Sequence, residues 1–264
     1  MNRKFPKPIK CIVIKVGSSV IATYQMSPKK ARLKSLAKQI SQVQDRGQDV
    51  ILVSSGAVVI GMGELNERKR PSDLAGLQAC AAVGQAALMD LYREFFKSHK
   101  RRCGQMLLTW DDFDNRSRYV NARNTLEALL SRGVIPVINE NDTVATEEMK
   151  FGDNDRLAAM VAGLVKADLL LILSDVDGLY EMKDGGKKIF REIKEVTSEI
   201  EGVVLGKGVS DDKKHIARGG MSAKLEAVKA AAKTNIPAVI ANGEMNNVLL
   251  RVLDGERVGT FFAA

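Results

Sequence analysis

Residues 133–155, GVIPVINENDTVATEEMKFGDND, decide how the rest of this chain is read. The stretch opens as a strand, with Val134, Ile135, Val137 and Ile138 in close succession, and then turns abruptly polar. Asn139, Glu140, Asn141 and Asp142 follow at once, and Asp153, Asn154 and Asp155 come shortly after. An open α/β sheet places its ligand where a buried strand empties into such a loop, outside the carboxyl ends of the strands. Asn and Asp also suit ordinary turns, so either cluster alone reads equally well as turn chemistry. The other strands shift the balance toward a ligand site, because several of them end the same way.

Residues 11–17, CIVIKVG, form an apolar run that contains Lys15 and ends in Gly17-Ser18-Ser19. An unpaired ammonium inside a strand is costly, so Lys15 is expected near the strand's end, reaching an anion. A snorkelling or edge-strand lysine is the plainer alternative. Val50 to Val53 run into Ser54-Ser55-Gly56-Ala57, and the buried run 167–174 ends in Asp175-Val176-Asp177-Gly178. Between these strands the spacing predicts helices. One is capped by Ser27-Pro28 and closed by Gly47, one spans about 72–99, one 121–130 and one 157–165, and an Ala-rich helix spans 223–233. Residues 58–71, with two glycines and the ERKRP run, read as a loop, and 180–215 as a charged surface excursion. The small residues Ala79 to Ala82, Gly84, Ala86 and Ala87 predict a close helix approach, either within the chain or between subunits. Strands alternating with helices throughout predict an α/β fold, an αβα sandwich with a largely parallel central sheet. A single domain over 1–264 is expected, with an N-terminal lobe to about residue 165 and a C-terminal lobe beyond it.

Several familiar chemistries drop out. The P-loop pattern GxxxxGK[ST] occurs nowhere, GxSxG is not met at Ser54-Ser55, and the Asp175 turn lacks the spacing and terminal Glu of a calcium loop. With only two histidines, His-based catalysis is not expected, and no protein-held metal cluster is apparent. Three cysteines without CxxC spacing point to a reducing, cytoplasmic setting. The longest apolar runs look strand-length, and the N-terminus leads directly into a strand, so neither a membrane span nor a signal peptide is expected. The net charge of +8 lies in loop-like clusters without interleaved aromatics, which disfavours a nucleic-acid partner.

What remains is an inventory for phosphoryl transfer. Lys15 and Lys224 each sit beside a glycine motif, the second being Arg218-Gly219-Gly220-Met221-Ser222-Ala223-Lys224. Asp142, Asp155 and Asp175 supply carboxylates at strand ends. Cations stabilise a transferring phosphoryl group, backbone amides at a helix start hold phosphate, and carboxylates place the cations. No general base stands out, and none is needed for an acceptor carboxylate already ionised near neutral pH.

The ordered set KVGSS, VSSGA, GQMLLT, PVINEND, GDND, SDVDGLY and GGMSAK resembles the glutamate 5-kinase branch of the amino-acid kinase family, from about residue 10 to residue 262. The resemblance implies ATP-dependent phosphorylation of the γ-carboxylate of L-glutamate, the first step of proline biosynthesis, with ATP carrying Mg²⁺ and proline as feedback inhibitor. It implies a homo-oligomer, either dimer or tetramer, and coupling to glutamyl-phosphate reductase. By motif, Lys15 and Lys224 would stabilise the phosphoryl group and Asp155 would hold the lysines. Ser55, Asp142 and Asn154 would bind glutamate, while Ser174, Asp175 and residues 218–224 would bind ATP. The loop from Thr143 to Gly152, with Glu147 and Glu148, is the expected cover over glutamate or proline. Ala217-Arg218 departs from the usual family residues, so Arg218 either contacts the nucleotide or points to solvent. No PUA module is expected. Other classes left open are a sister kinase acting on N-acetylglutamate or aspartate, and a non-catalytic amino-acid or RNA binder.

Overall fold

The computed structural model describes residues 3–144, 154–183, 186–204 and 220–264. Its main sheet contains β1 (Cys11–Val16), β2 (Asp49–Ser54), β3 (Arg102–Leu108), β4 (Val134–Glu140) and β5 (Leu169–Ser174). A small antiparallel hairpin, β6 (Tyr180–Lys183) with β7 (Gly186–Ile189), stands apart from it. β8 (Glu192–Ile193), β9 (Ala238–Asn242) and β10 (Thr260–Phe262) complete the main sheet, whose order is β3-β4-β2-β1-β5-β9-β10-β8. Neighbours run parallel except at β9–β10.

The strands alternate between two cores, which is why both faces must be covered. Ile12, Ile14, Val16, Val50, Leu52, Leu171 and Val239 pack on one face. Val13, Ile51, Val53, Leu170, Ile172 and Ile240 pack on the other. The first face is covered by α2 (Lys30–Asp45), α4 (Leu74–Ser98) and α10 (Val248–Leu253). The second is covered by α6 (Arg116–Leu130), α7 (Asn154–Val165) and α9 (Met221–Ala232). The shorter helices are α1 (Ser18–Ile21), α3 (Ala57–Glu64), α5 (Asp111–Asp114) and α8 (Ser198–Val204). The expected αβα sandwich is therefore the observed fold. The period of two puts Lys15 on the same face as Val13, and hence toward α7 and α9.

Three local expectations need correction. The first long helix starts at Lys30, not at Ser27-Pro28, because residues 22 and 28 form a β-bridge and Ser27 O accepts from Thr23 N–H at 2.8 Å. Gly47 does take the left-handed conformation after the helix, with φ +77°. Residues 57–64 are helical, not a loop. The glycines at the contact between α3 and α4 pack closely: a Cβ on Gly61 would lie 1.8 Å from Cys80 O, and one on Gly84 would lie 1.9 Å from Ala57 O. Gly84 of α4 thus serves an internal helix contact, whereas Ala79, Ala82 and Ala86 stay exposed. Finally, α4 is 25 residues long with a mean hydropathy of 1.3 over its most apolar window, enough to cross a membrane by length and composition. Here one face of it packs into the protein, burying Leu77, Cys80, Leu88, Tyr92, Phe95 and Phe96.

Candidate active site

The carboxyl ends of β1, β2, β4 and β5 meet at one edge of the sheet, and their ladders continue into the loops. Gly17 N–H donates to Leu173 O at 2.9 Å, Ser55 N–H to Val16 O at 3.0 Å, and Asn141 N–H to Leu108 O at 2.8 Å. Gly17 therefore spends its amide on β5 and does not offer it to an anion. Gly56, at φ +102°, lets the chain leave β2 and enter α3 within two residues.

At the centre of this edge one buried carboxylate holds two lysines. Lys15 Nζ lies 2.6 Å from Asp155 Oδ1, and Lys224 Nζ donates to Asp155 Oδ2 at 3.2 Å. Lys15 comes from β1, Asp155 from the first turn of α7, and Lys224 from the first turn of α9. Asp155 is 0% exposed, and the lysines 3% and 4%. The carboxylate between the two ammonium groups offsets part of their desolvation at this depth. Two lysines converging on one buried carboxylate are suited to hold a phosphoryl group.

Beside it lies an amide cluster. Asn154 Nδ2 donates to Asn139 Oδ1 at 2.8 Å and to Ser55 Oγ at 3.1 Å. Asn139 Nδ2 in turn donates to Gln85 Oε1 at 2.8 Å. Ser54 Oγ hydrogen-bonds Tyr92 OH at 2.9 Å beneath them. Asp142 stands in the turn after β4, where burial pushes its carboxyl up to about 6, partly opposed by the positive charge of Arg70. A carboxylate held in this way gains from a cationic ligand.

On the other side, Ser174 Oγ donates to Asp175 Oδ1 at 3.0 Å at the end of β5. An open cleft of about 440 Å³ is lined by Ser18, Ser19, Lys29, Val59, Asp175 and Glu244. The nearby Asp177 is a structural carboxylate: hydrogen bonds from Asn242 and Tyr180 hold it below the usual range. α9 begins at Gly220 with no side-chain cap and no acid in its first turn, leaving backbone N–H groups for an anion. Gly220, Met221, Ser222, Ala223 and Lys224 thus occupy one helix start, whereas Arg218 and Gly219 lie outside the described residues, as do Glu147 and Glu148.

The structure brings Lys15, Asp155 and Lys224 together, and Ser55 with Asn154. Sequence reasoning missed Gln85. Its one available signal was a lone amide on the buried face of α4, between Gly84 and Leu88.

Residues 10–242 match the model of the amino acid kinase family. The chain belongs to the amino acid kinase family. Its curated relatives include glutamate 5-kinases. That of Carboxydothermus hydrogenoformans is 44% identical, covering 98% of this chain and 69% of its own. That of Geobacter sp. strain M21 is 43% identical, covering 99% of this chain and 70% of its own. UMP kinase from Bacillus anthracis shares the fold, with a TM-score of 0.65 at 20% identity over 97% of both chains. Kinases of this family use ATP, and the two lysines converging on Asp155 fit that use.

Proposed function

We propose that the chain transfers the γ-phosphoryl group of ATP to the γ-carboxylate of L-glutamate, giving L-glutamyl 5-phosphate for proline biosynthesis. Among the features of the site, the reading rests above all on the Lys15–Asp155–Lys224 group at the carboxyl edge of the sheet. Lys15 and Lys224 neutralise charge on the transferring group, and Asp155 keeps both at fixed positions. The open first turn of α9, from Gly220 through Met221, Ser222 and Ala223, receives phosphate oxygens. Ser174 and Asp175 border the nucleotide; Arg218 and Gly219 are assigned to it by motif alone. Mg²⁺, carried on the ATP phosphates, neutralises part of their charge.

Ser55, Asn154 and Asp142 receive glutamate, with the Asp142 carboxylate facing the α-ammonium. The γ-carboxylate is already ionised at neutral pH, so attack needs alignment and no general base. In this account 1–264 forms one domain, with glutamate on the N-terminal lobe and ATP on the C-terminal lobe. The protein acts in the cytoplasm, supplies its unstable acyl phosphate to glutamyl-phosphate reductase, and is inhibited by proline in the glutamate pocket. The exposed alanines of α4, including Ala79, Ala82 and Ala86 beside Val83, form the homo-oligomer contact.

Acyl-phosphate trapping with hydroxylamine tests the reading, using ATP, Mg²⁺ and glutamate, N-acetylglutamate or aspartate. Hydroxamate from glutamate alone, lost in Lys224→Ala, is the expected result. Hydroxamate from another acid would overturn the substrate, and none from any acid would overturn the kinase reading.

A further inference from the structure

The hydrogen bonds around Asn154 have a direction, and one backbone group sets it. Glu140 N–H donates to Asn139 Oδ1 at 2.9 Å. A backbone amide cannot exchange donor for acceptor, so Asn139 must keep its oxygen on that side and its nitrogen toward Gln85 Oε1, 2.8 Å away. The same Asn139 oxygen also accepts from Asn154 Nδ2 at 2.8 Å. Turning the Asn154 amide over would set two oxygens against each other. Its nitrogen is thus committed inward, with Ser55 Oγ as second acceptor at 3.1 Å. Asn154 Oδ1 is left without a hydrogen-bond partner among the described residues. The two residues behind this arrangement are buried, Asn139 at 2% exposure and Gln85 at 8%.

We propose that Gln85 and Asn139 are positioning residues that present the amide oxygen of Asn154, and not its nitrogen, to the amino-acid acceptor. The oxygen is then a receptor for a donor on the ligand, the α-ammonium group. This rests on the glutamate-kinase reading and adds a specificity device to it. Asn154 and its supports select for a hydrogen-bond donor on the α-carbon, whereas an amide presented nitrogen-first would select for an acceptor such as the α-carboxylate. Gln85 acts at one remove. Its oxygen holds the Asn139 nitrogen, and without it Asn139 is left with the Glu140 N–H bond at Oδ1, so its hold on Asn154 weakens.

The test compares glutamate with glutarate, the same diacid without the amino group, in wild type, Gln85→Leu and Gln85→Glu. Glutamate KM and kcat are read by hydroxamate formation, and glutarate Ki by competition against glutamate. Loss of one charge-assisted hydrogen bond predicts a glutamate KM raised ~10-fold or more in Gln85→Leu. Glutarate Ki should stay within about twofold, because glutarate has no ammonium to lose. Gln85→Glu retains an oxygen for Asn139 Nδ2 and should keep the wild-type preference for glutamate. A parallel weakening of both ligands in Gln85→Leu, or no weakening of either, would overturn the inference, as would loss of the preference in Gln85→Glu. Absence of glutamyl hydroxamate from the wild-type chain would overturn the kinase reading itself, and the inference with it.

Discussion

Replacing Asp155 by Asn removes one negative charge and almost no volume, so its effect isolates electrostatics. Asp155 is 0% exposed and lies 2.6 Å from the Lys15 ammonium and 3.2 Å from that of Lys224. Breaking a buried ion pair by removing one partner costs about 3–5 kcal/mol, since the remaining charge is left uncompensated. For a chain of this length that corresponds to a Tm lower by ~6–20 °C. Misplacing the lysines by about 1 Å should also lower kcat ~10²-fold or more. Urea titrations without nucleotide measure the first effect, and hydroxamate formation the second. A loss below about 1 kcal/mol would refute the argument that this carboxylate compensates two buried cations.

Other expectations follow from the same geometry. Because burial holds the Asp142 carboxyl near 6 and an ammonium stabilises its ionised form, glutamate KM should climb as pH falls through about 6. In Asp142→Asn the KM should be high and independent of pH in that range. The same substitution should raise stability at pH 7 by ~1–2 kcal/mol, because the raised carboxyl contributes stability only below its folded pKa. Gly84→Ala places a Cβ 1.9 Å from Ala57 O, so chemical denaturation should show a loss of at least ~1–3 kcal/mol as α3 is pushed off α4. The guanidinium of Arg156 lies 4.1 Å from the ring centre of Trp110, the one tryptophan in the chain. Arg156→Ala should therefore change the intrinsic fluorescence while costing only ~0.5–1 kcal/mol.

Much of the fold was legible because the strands are continuous apolar runs buried on both faces. Residues 169–174 could hardly be anything else, and the period of two within β1 places Lys15 toward α7 and α9. The three charged groups at the centre were legible too, since a lysine in a strand and an acid at a helix start each demand a partner. α3 was not legible. Its two glycines lower helix propensity, and only close backbone explains them, that of α4 at Gly61 and that of Met26 at Gly63. Gln85 escaped for a related reason: an amide in a helix carries no local sign that it supports a residue 54 positions away. The direction of the Asn139 amide depends on a backbone N–H, which no side-chain pattern encodes.

The central claim is that the side-chain carboxylate of glutamate itself attacks the γ-phosphorus of ATP. Glutamate labelled with ¹⁸O in that carboxylate tests it directly. The acyl phosphate is trapped with hydroxylamine, which cleaves the carbon–oxygen bond, and the released phosphate is examined by mass spectrometry. The account predicts one ¹⁸O atom in each phosphate formed with hydroxamate. Phosphate without label would mean that water or another group receives the phosphoryl group, and would contradict it.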